Sequence, residues 1–156
     1  MIKFALVGCG RISKRHSELL GENQIAGAQL VAVCDKIVSK AEAIADRYSV
    51  PAYACLHEMM KTEKVDVVVV LTQSGLHAQH TIDLAPYGAH VVVEKPMALT
   101  IDDADSMIEA CDQHGVKLFV VKQNRFNVPV LHLRKALDQG RFGKLFMGTV
   151  RVRWSR

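Results

Sequence analysis

The feature that most limits how this chain can fold is a change of pattern within its first twenty residues. Phe4 to Val7 are apolar without a break, Gly8 and Gly10 follow, and from Ile12 the apolar residues recur with a helical period. This order predicts a buried strand, a tight glycine turn and the start of a helix. Glycines let backbone N–H groups come close to a ligand, and the helix dipole favours negative charge at this end. The segment therefore predicts a site for a pyrophosphate group.

An acidic residue at the end of the next predicted strand supports the same kind of site. The strand comprises residues 30–34 and ends at Asp35, about 25 residues past Gly10; the carboxylate that binds the ribose of NAD stands about 20 residues on. A carboxylate there repels a 2′-phosphate, so NAD is favoured over NADP, although Lys36 weakens this preference. Ser13 takes the third fingerprint position and is small enough for helix and strand to pack closely. The alternative is an ordinary strand–helix–strand unit with a tight turn and a solvated Asp35.

Composition limits the classes of protein to which the chain can belong. At 156 residues, of which 49% are hydrophobic and 23% charged, the chain has the size and the core residues of one domain. It contains no apolar run of about 18 residues, which a membrane helix requires, and no recognisable secretory signal. The net charge of +4 is scattered, so no basic patch predicts nucleic-acid binding. We therefore expect a cytoplasmic protein that binds neither membranes nor nucleic acid.

The cysteines and histidines do not predict a metal centre. The four cysteines show no C-x-x-C spacing and are interpreted as reduced, mostly buried thiols. His77 and His80 lie three residues apart on a predicted helix and could both reach a metal. No third ligand is evident, so packing or contact with a cofactor is favoured for both, and we expect no metal.

Strands and helices alternate along the chain, which is the pattern of a parallel sheet covered by helices on both faces. Further apolar runs predict strands at about 50–53, 66–71, 90–93 and 116–121. Helical periods predict helices at about 12–20, 39–48, 56–61, 77–85, 100–115 and 129–140, with Ser39 and Thr100 as N-terminal caps. The predicted fold class is therefore α/β, a doubly wound parallel sheet of the Rossmann type.

Residues 145–154 do not follow this alternation. Apolar residues at 150, 152 and 154 alternate with polar ones, which predicts a half-buried antiparallel strand. An unpaired apolar strand needs a partner. We therefore predict a dinucleotide-binding domain over residues 1–125, followed by a helix and strand over 126–156 that lead into an antiparallel second domain absent from this chain. The alternative is that the strand pairs with another copy of the chain.

Polar residues follow five of the predicted strands, at the edge where a doubly wound sheet binds its ligands. These strand ends are residues 8–12, Asp35, residues 72–77, Glu94 with Lys95, and residues 123–127. The carboxyl ends of parallel strands meet at one edge, so we expect these residues to contribute to one site.

The motifs at these strand ends resemble the Gfo/Idh/MocA oxidoreductases, the relatives of glucose–fructose oxidoreductase and inositol dehydrogenase. The resemblance is carried by Gly8, Gly10, His16, Asp35, Thr72, Ser74, His77 and, above all, Glu94-Lys95-Pro96 after a valine-rich strand. It implies a Rossmann domain, a following antiparallel domain that holds substrate, and hydride transfer between NAD(H) or NADP(H) and a sugar or cyclitol carbon. Residues 9–12, 86–88, 121–125 and 151–154 are most similar to the nucleotide-sugar branch, which oxidises carbon 3 of UDP-N-acetylglucosaminuronate.

The resemblance also implies roles for individual residues. The cofactor would be bound by Gly8, Gly10, Arg11 and Ile12 at the pyrophosphate, by Asp35 at the adenosine ribose, by Thr72, Ser74 and His77 along the diphosphate and nicotinamide ribose, and by Glu94, Lys95 and Gln123 near the nicotinamide. Substrate would be bordered by Lys95, Arg125 and Asn127. Gln73 stands where many relatives have proline, which leaves the shape of that loop open.

Lys95 is the candidate catalytic residue. A cation near the carbinol oxygen stabilises the developing alkoxide, and a lysine whose pKa is depressed by burial can share the proton. Pairing with Glu94 would oppose that depression and make Lys95 an electrostatic clamp. The alternative is a surface lysine with no chemical role.

The chain by itself is expected to bind cofactor without turning over. In the resembled family the principal acid/base is a histidine of an Asp-x-x-x-His motif, and residues 1–156 contain no such motif. The full-length protein is expected to be a homo-oligomer that binds a small sugar or nucleotide-sugar substrate. The alternative function is a stand-alone Rossmann module that binds nucleotide without catalysis.

Overall fold

A six-stranded parallel sheet forms the centre of the protein. The computed structural model describes residues 1–153. The strands are β1 (Ile2–Val7), β2 (Ala28–Cys34), β3 (Ala52–Tyr53), β4 (Val67–Val70), β5 (His90–Val93) and β6 (Leu118–Val120), in the order β3-β2-β1-β4-β5-β6. All neighbouring strands run parallel. The strand order changes direction between β1 and β4, which is the switch point where such sheets bind ligands. The predicted doubly wound Rossmann fold is confirmed.

Helices connect these strands and cover both faces of the sheet. They are α1 (Ser13–Gly21), α2 (Val38–Tyr48), α3 (Leu56–Thr62), α4 (His77–Leu84) and α5 (Ile101–Gln113). A further helix, α6 (Val128–Asp138), comes after the last strand in the sequence. Short 3₁₀ turns comprise Ser74–Leu76, Ala85–Tyr87 and Gln123–Phe126. Among residues 1–153, none of the helices has the length and hydropathy that a membrane crossing requires.

Strand β4 explains how the core is divided between the two faces. Successive side chains of a strand point to opposite faces. Val68 and Val70 belong to a buried cluster with Met107, whereas Val69 belongs to a second cluster with Leu6. Because helices cover both sides, an unbroken valine run is the expected sequence of this central strand. Fully burying one such side chain contributes about 1.5–3 kcal/mol relative to leaving it exposed.

The starts of two helices show where local sequence decides and where it does not. The Thr100 hydroxyl oxygen accepts the Asp103 N–H (3.1 Å), which confirms the predicted cap of α5. The predicted Ser39 cap is wrong, because α2 already begins at Val38 and Ser39 lies within it. There the Asp35 carboxylate accepts the Ile37 N–H (2.8 Å), so the preceding loop, and not Ser39, fixes where the helix begins.

The chain divides into two compact units, the first ending at Val121 and the second beginning at Lys122. The second unit contains α6, where Arg134 pairs with Asp138 at 2.9 Å. The predicted domain boundary after residue 125 stays a prediction.

The antiparallel strand predicted at 145–154 is not formed in the described residues. Residues 145–153 adopt no regular secondary structure, and Trp154 lies outside the described residues. A strand is held by hydrogen bonds to a neighbouring strand, and none pairs with this segment in the described part of the chain.

Candidate functional site

A cleft of about 360 Å³ opens at the carboxyl ends of β1, β2 and β4. Four segments line it: the glycine turn after β1, the acidic loop after β2 with the start of α2, the residues Ala54 and Leu56 after β3, and the loop that follows β4. Four predicted site residues contribute to this lining, namely Gly8, Gly10, Asp35 and Thr72. Glu94 and Lys95 follow β5, which pairs with β4, so they lie at the same edge of the sheet, one strand farther along. The structure thus brings the strand ends of the first unit together as predicted from sheet topology.

The two glycines of the turn have different surroundings. Gly8 has φ +98°, and a Cβ built on it would lie 2.8 Å from the backbone of Leu71 and Thr72. Only glycine fits there. A Cβ on Gly10 would meet nothing within 4 Å, so the protein itself leaves that space open. An open space in front of a glycine is what close approach of a ligand to the backbone requires.

The first turn of α1 leaves its positive end available. No side chain caps the helix, and its first turn contains no acidic residue. Ser13 is buried, and its hydroxyl donates to the Gly10 carbonyl at 2.5 Å, which ties the helix to the glycine turn. Arg11 and Ile12 are exposed at this end. A negative group is therefore stabilised here by the helix dipole and the first backbone amides.

Asp35 is held by backbone hydrogen bonds on both of its oxygens. Oδ2 accepts the Cys9 N–H at 2.7 Å, and Oδ1 accepts the Ile37 N–H at 2.8 Å. The carboxylate therefore connects the glycine turn to the loop after β2. A carboxylate offers about four acceptor positions, so each oxygen retains capacity to accept from a hydroxyl in the cleft.

The structure differs from the sequence-based expectation at His77. Its side chain is 1% exposed, and its ring nitrogens contact the carbonyls of Pro96 (2.8 Å) and Thr72 (3.1 Å). His77 therefore supports the loops from behind and does not line the cleft. The lining histidine is His80, whose Nδ1 lies 3.0 Å from the Thr72 hydroxyl. Ser74, half-buried, begins the 3₁₀ turn before α4.

Burial lowers the pKa of His80. The neutral imidazole is therefore the favoured form at neutral pH, with one nitrogen as donor and the other as acceptor. Its contact with Thr72 orients the hydroxyl of that residue within the cleft.

Glu94 pairs with a residue that the sequence analysis did not assign to the site. His16, in the second turn of α1, places Nε2 3.1 Å from Glu94 Oε1. Glu94 is 8% exposed, and its Oε2 accepts the Lys95 N–H at 3.0 Å. The considered ion pair between Glu94 and the Lys95 ammonium is not formed in the part of the chain that the structure describes. The Lys95 side chain is exposed.

No local pattern identifies His16 as the partner of Glu94. The two residues are separated by 78 positions. Helix α1 packs on β1 and β2, and the His16 side chain reaches from it to the residue that follows β5, which only the tertiary structure shows.

The remaining predicted residues lie in the second unit. Gln123 and Arg125 belong to the 3₁₀ turn Gln123–Phe126, and Asn127 precedes α6. All three are exposed. Their predicted contacts with cofactor and substrate stay predictions.

The cysteines are free thiols. Cys9, Cys34 and Cys111 are buried and Cys55 is exposed. Burial raises the pKa of both Cys9 and Cys34 to about 12, so both stay protonated at neutral pH. Protonated thiols are poor nucleophiles and poor metal ligands. Within residues 1–153, no three potential metal ligands lie together.

Residues 2–122 match the family described as an oxidoreductase family with an NAD-binding Rossmann fold. Inositol 2-dehydrogenase of Salmonella typhimurium is 29% identical over 149 residues, which cover 94% of this chain and 44% of that protein. The chain therefore spans less than half the length of this curated relative.

Two solved structures are similar in both fold and sequence. The WlbA dehydrogenase of Bordetella pertussis, in complex with NADH and UDP-GlcNAcA, has a TM-score of 0.86 and 43% identity, covering 91% of this chain and 43% of that one. The WlbA dehydrogenase of Chromobacterium violaceum, with the same two ligands, has a TM-score of 0.86 and 40% identity, covering 91% and 41%.

Proposed function

The chain belongs to the oxidoreductase family with the NAD-binding Rossmann fold, and from this premise we propose that it is the cofactor-binding part of a nucleotide-sugar dehydrogenase. The observation that carries the proposal is the cleft in which open space in front of Gly10 lies beside the anchored carboxylate of Asp35. NAD presents a diphosphate and a ribose diol, which are the groups that these two features accommodate. When bound, NAD exchanges hydride with the substrate at its nicotinamide ring.

The residues of the cleft suit the cofactor in charge and in shape. The amides of Gly10, Arg11 and Ile12 at the start of α1 would hold the diphosphate, and Gly8 keeps the turn tight enough to present them. Asp35 would accept hydrogen bonds from the adenosine ribose. Thr72, with its hydroxyl oriented by His80, would border the diphosphate from the opposite side.

The adenosine end of the cleft also contains two cations. Lys36 and Lys40 line it together with Asp35. Asp35 disfavours a 2′-phosphate by charge repulsion, whereas the two ammonium groups attract one. We therefore propose that the cleft prefers NAD and binds NADP more weakly.

Lys95 is the proposed catalytic residue of this chain. Its ammonium group is exposed at the sheet edge and forms no ion pair in the described residues, so it can interact with a substrate oxygen. It would donate to the carbinol oxygen and stabilise the alkoxide character that develops as the C–H bond breaks. Ser74 would lie along the nicotinamide ribose, and the acid/base that takes the hydroxyl proton is expected in the part of the protein beyond this chain.

The choice of a nucleotide sugar as substrate is supported by the order of similarity. Identity is 43% to a dehydrogenase whose complex contains UDP-GlcNAcA, against 29% to an inositol 2-dehydrogenase. The proposed substrate class is therefore UDP-N-acetylglucosaminuronate and related nucleotide sugars.

Cofactor binding is tested by titrating NADH into the chain and following nicotinamide fluorescence. Saturable binding that is weaker for NADPH is the expected result. No saturation at millimolar NADH would exclude the proposal.

The substrate is tested on the longer parent protein, by NADH formation from NAD⁺ with UDP-N-acetylglucosaminuronate or with myo-inositol. Turnover of inositol alone would overturn the substrate class and leave cofactor binding untouched.

A further inference from the structure

His16 joins two segments of the site that are far apart in the chain. It lies on α1, which begins directly after the glycine turn, and its Nε2 lies 3.1 Å from Glu94 Oε1. A carboxylate can only accept, so the His16 Nε2 carries the hydrogen of this contact. The side chains are 20% and 11% exposed, so water competes little for the bond.

The second oxygen of Glu94 is also engaged. Oε2 accepts the Lys95 N–H at 3.0 Å, and the Glu94 N–H donates to the Val70 carbonyl at 3.0 Å. The carboxylate therefore forms a bridge from the helix to the backbone of Lys95. Loss of His16 leaves one oxygen of a buried carboxylate without its partner, which favours rearrangement of the Glu94 side chain.

The bridge joins the two regions that the proposed function assigns to the diphosphate and to the nicotinamide of the cofactor. Helix α1 presents the amides for the diphosphate, and Lys95 is placed beside the nicotinamide. Strands β1 and β5 are separated by β4, and no other side-chain hydrogen bond in the described residues joins α1 to the segment after β5. Besides the backbone hydrogen bonds of the sheet, this contact is thus the direct side-chain link between the two regions.

We propose that His16 is a positioning residue that, through Glu94, fixes the Lys95 segment relative to the pyrophosphate-binding helix. This inference rests on the proposed function, because it concerns the same cofactor. His16 needs no contact with NAD to act in this way. Its loss should weaken binding of the nicotinamide half and leave binding of the adenosine half unchanged.

The test compares NADH with ADP, which ends at the diphosphate. Dissociation constants for both are measured by calorimetry on the wild-type chain, His16→Met and His16→Gln. Methionine has similar bulk and no donor, whereas the glutamine amide can still donate to Glu94. We expect H16M to weaken NADH about tenfold, as for loss of one hydrogen bond to a charged group. ADP affinity should stay within about twofold in both variants, and H16Q should bind NADH nearly as wild type does.

A control variant and a second test variant change side chains outside α1. Arg47→Met removes the exposed pair with Glu22 and should leave both ligands unaffected. Glu94→Met removes both acceptor oxygens, the one for His16 Nε2 and the one for the Lys95 N–H, so it should show the NADH-specific loss. It provides the test if H16M does not fold.

The outcomes separate this inference from the proposed function. If the wild-type chain binds neither ADP nor NADH, the proposed function and the inference fall together. If it binds both, and H16M or E94M weakens them equally or not at all, the inference alone is wrong. A loss confined to NADH and restored in H16Q supports it.

Discussion

At the scale of single residues, two glycines one position apart have separate roles. Gly8 is required by the protein itself, because φ is +98° and the neighbouring backbone leaves no room for a Cβ. At Gly10, by contrast, a Cβ would meet no atom of the surrounding protein, so the space in front of this residue is open. The fold therefore requires the first glycine, and the open space at the second is where we propose that the cofactor binds.

The two alanine variants of these glycines should fail in different ways. Gly8→Ala should lower the free energy of unfolding by at least about 1–2 kcal/mol, the cost of left-handed backbone for a non-glycine residue. The clash with Leu71 and Thr72 adds to this cost. Gly10→Ala should unfold as wild type does and lose NADH binding. Urea unfolding and NADH titration check both, and a G10A variant that binds normally would contradict the role given to Gly10.

The reactivity of the thiols should follow their burial. At pH 8, iodoacetamide should alkylate Cys55 rapidly, because Cys55 is the exposed cysteine. Cys9 and Cys34 should react only after denaturant is added, because both are buried and their pKa is about 12. Mass spectrometry of time points measures this, with Cys55→Ser as the control. Rapid labelling of Cys34 in the folded C55S chain would contradict the described burial.

The same thiols should make stability depend on alkaline pH. Burial raises the pKa of Cys34 from 9.0 to about 12, so between these values the folded chain holds a proton that the unfolded chain has lost. The stabilisation is complete below pH 9 and decreases as pH rises toward 12. Cys34→Ala should therefore lose less stability than wild type between pH 9 and 10.5. Denaturant midpoints across this range test it, and equal slopes would contradict it.

At the scale of elements, the apolar composition of a segment predicts where a strand forms. The residue at which a helix begins depends on side-chain capping and on tertiary contacts. Strand β4 is buried over all four residues, so its valine run needs no alternation. Helix α5 begins where the Thr100 side chain caps it. Helix α2 begins without a side-chain cap, in a loop held by Asp35. The start of α2 is thus determined by the contacts of the Asp35 loop, whereas the start of α5 is determined by its own cap residue.

Substitutions at the two predicted cap residues should distinguish a helix that begins at a side-chain cap from one that does not. Thr100→Ala should lower the free energy of unfolding by about 1 kcal/mol, because the Asp103 N–H loses its acceptor. Thr100→Ser, which keeps the hydroxyl, should be close to wild type. Ser39→Ala should also be close to wild type, since Ser39 caps nothing. Thermal unfolding measures all three, and a large loss in S39A would restore the sequence-based cap.

At the scale of the whole molecule, the lining of the cleft belongs to the first compact unit. Every lining residue lies within Met1–Val121. The family match covers residues 2–122, close to the same span. The cleft that we propose for the cofactor thus lies in this unit, and the homo-oligomeric state, cytoplasmic location and sugar substrate stay predictions.

A chain that ends at Val121 should therefore fold and bind the adenosine half of the cofactor. Its ADP affinity should equal that of the 156-residue chain. A loss confined to NADH would agree with the predicted contact of Gln123 with the cofactor. Calorimetry with both ligands, beside circular dichroism of the two chains, is the measurement. Loss of ADP binding in a folded 1–121 chain would contradict the assignment of the cleft to the first unit.

Much of the fold could be predicted because its signals are local. Apolar runs predicted the strands, the glycine turn predicted the first strand-to-helix connection, and Asp35 marked the end of the second strand. These features are readable from the sequence because burial and backbone geometry constrain residues that are close together in the chain. The predicted strand at 145–154 shows the limit of such signals. Alternation of apolar and polar residues indicates a preference for the strand conformation, but a strand forms only when a neighbouring strand hydrogen-bonds to it.

The sequence by itself determined the parallel sheet and predicted that Gly8, Gly10, Asp35 and Thr72 lie together at one edge of it. Only the tertiary structure decided that His16 pairs with Glu94, that His77 is buried behind the cleft and that His80 lines it. The physical reason is that these contacts join side chains from different crossovers. Their geometry depends on how whole helices pack across the sheet, which no local pattern along the chain records.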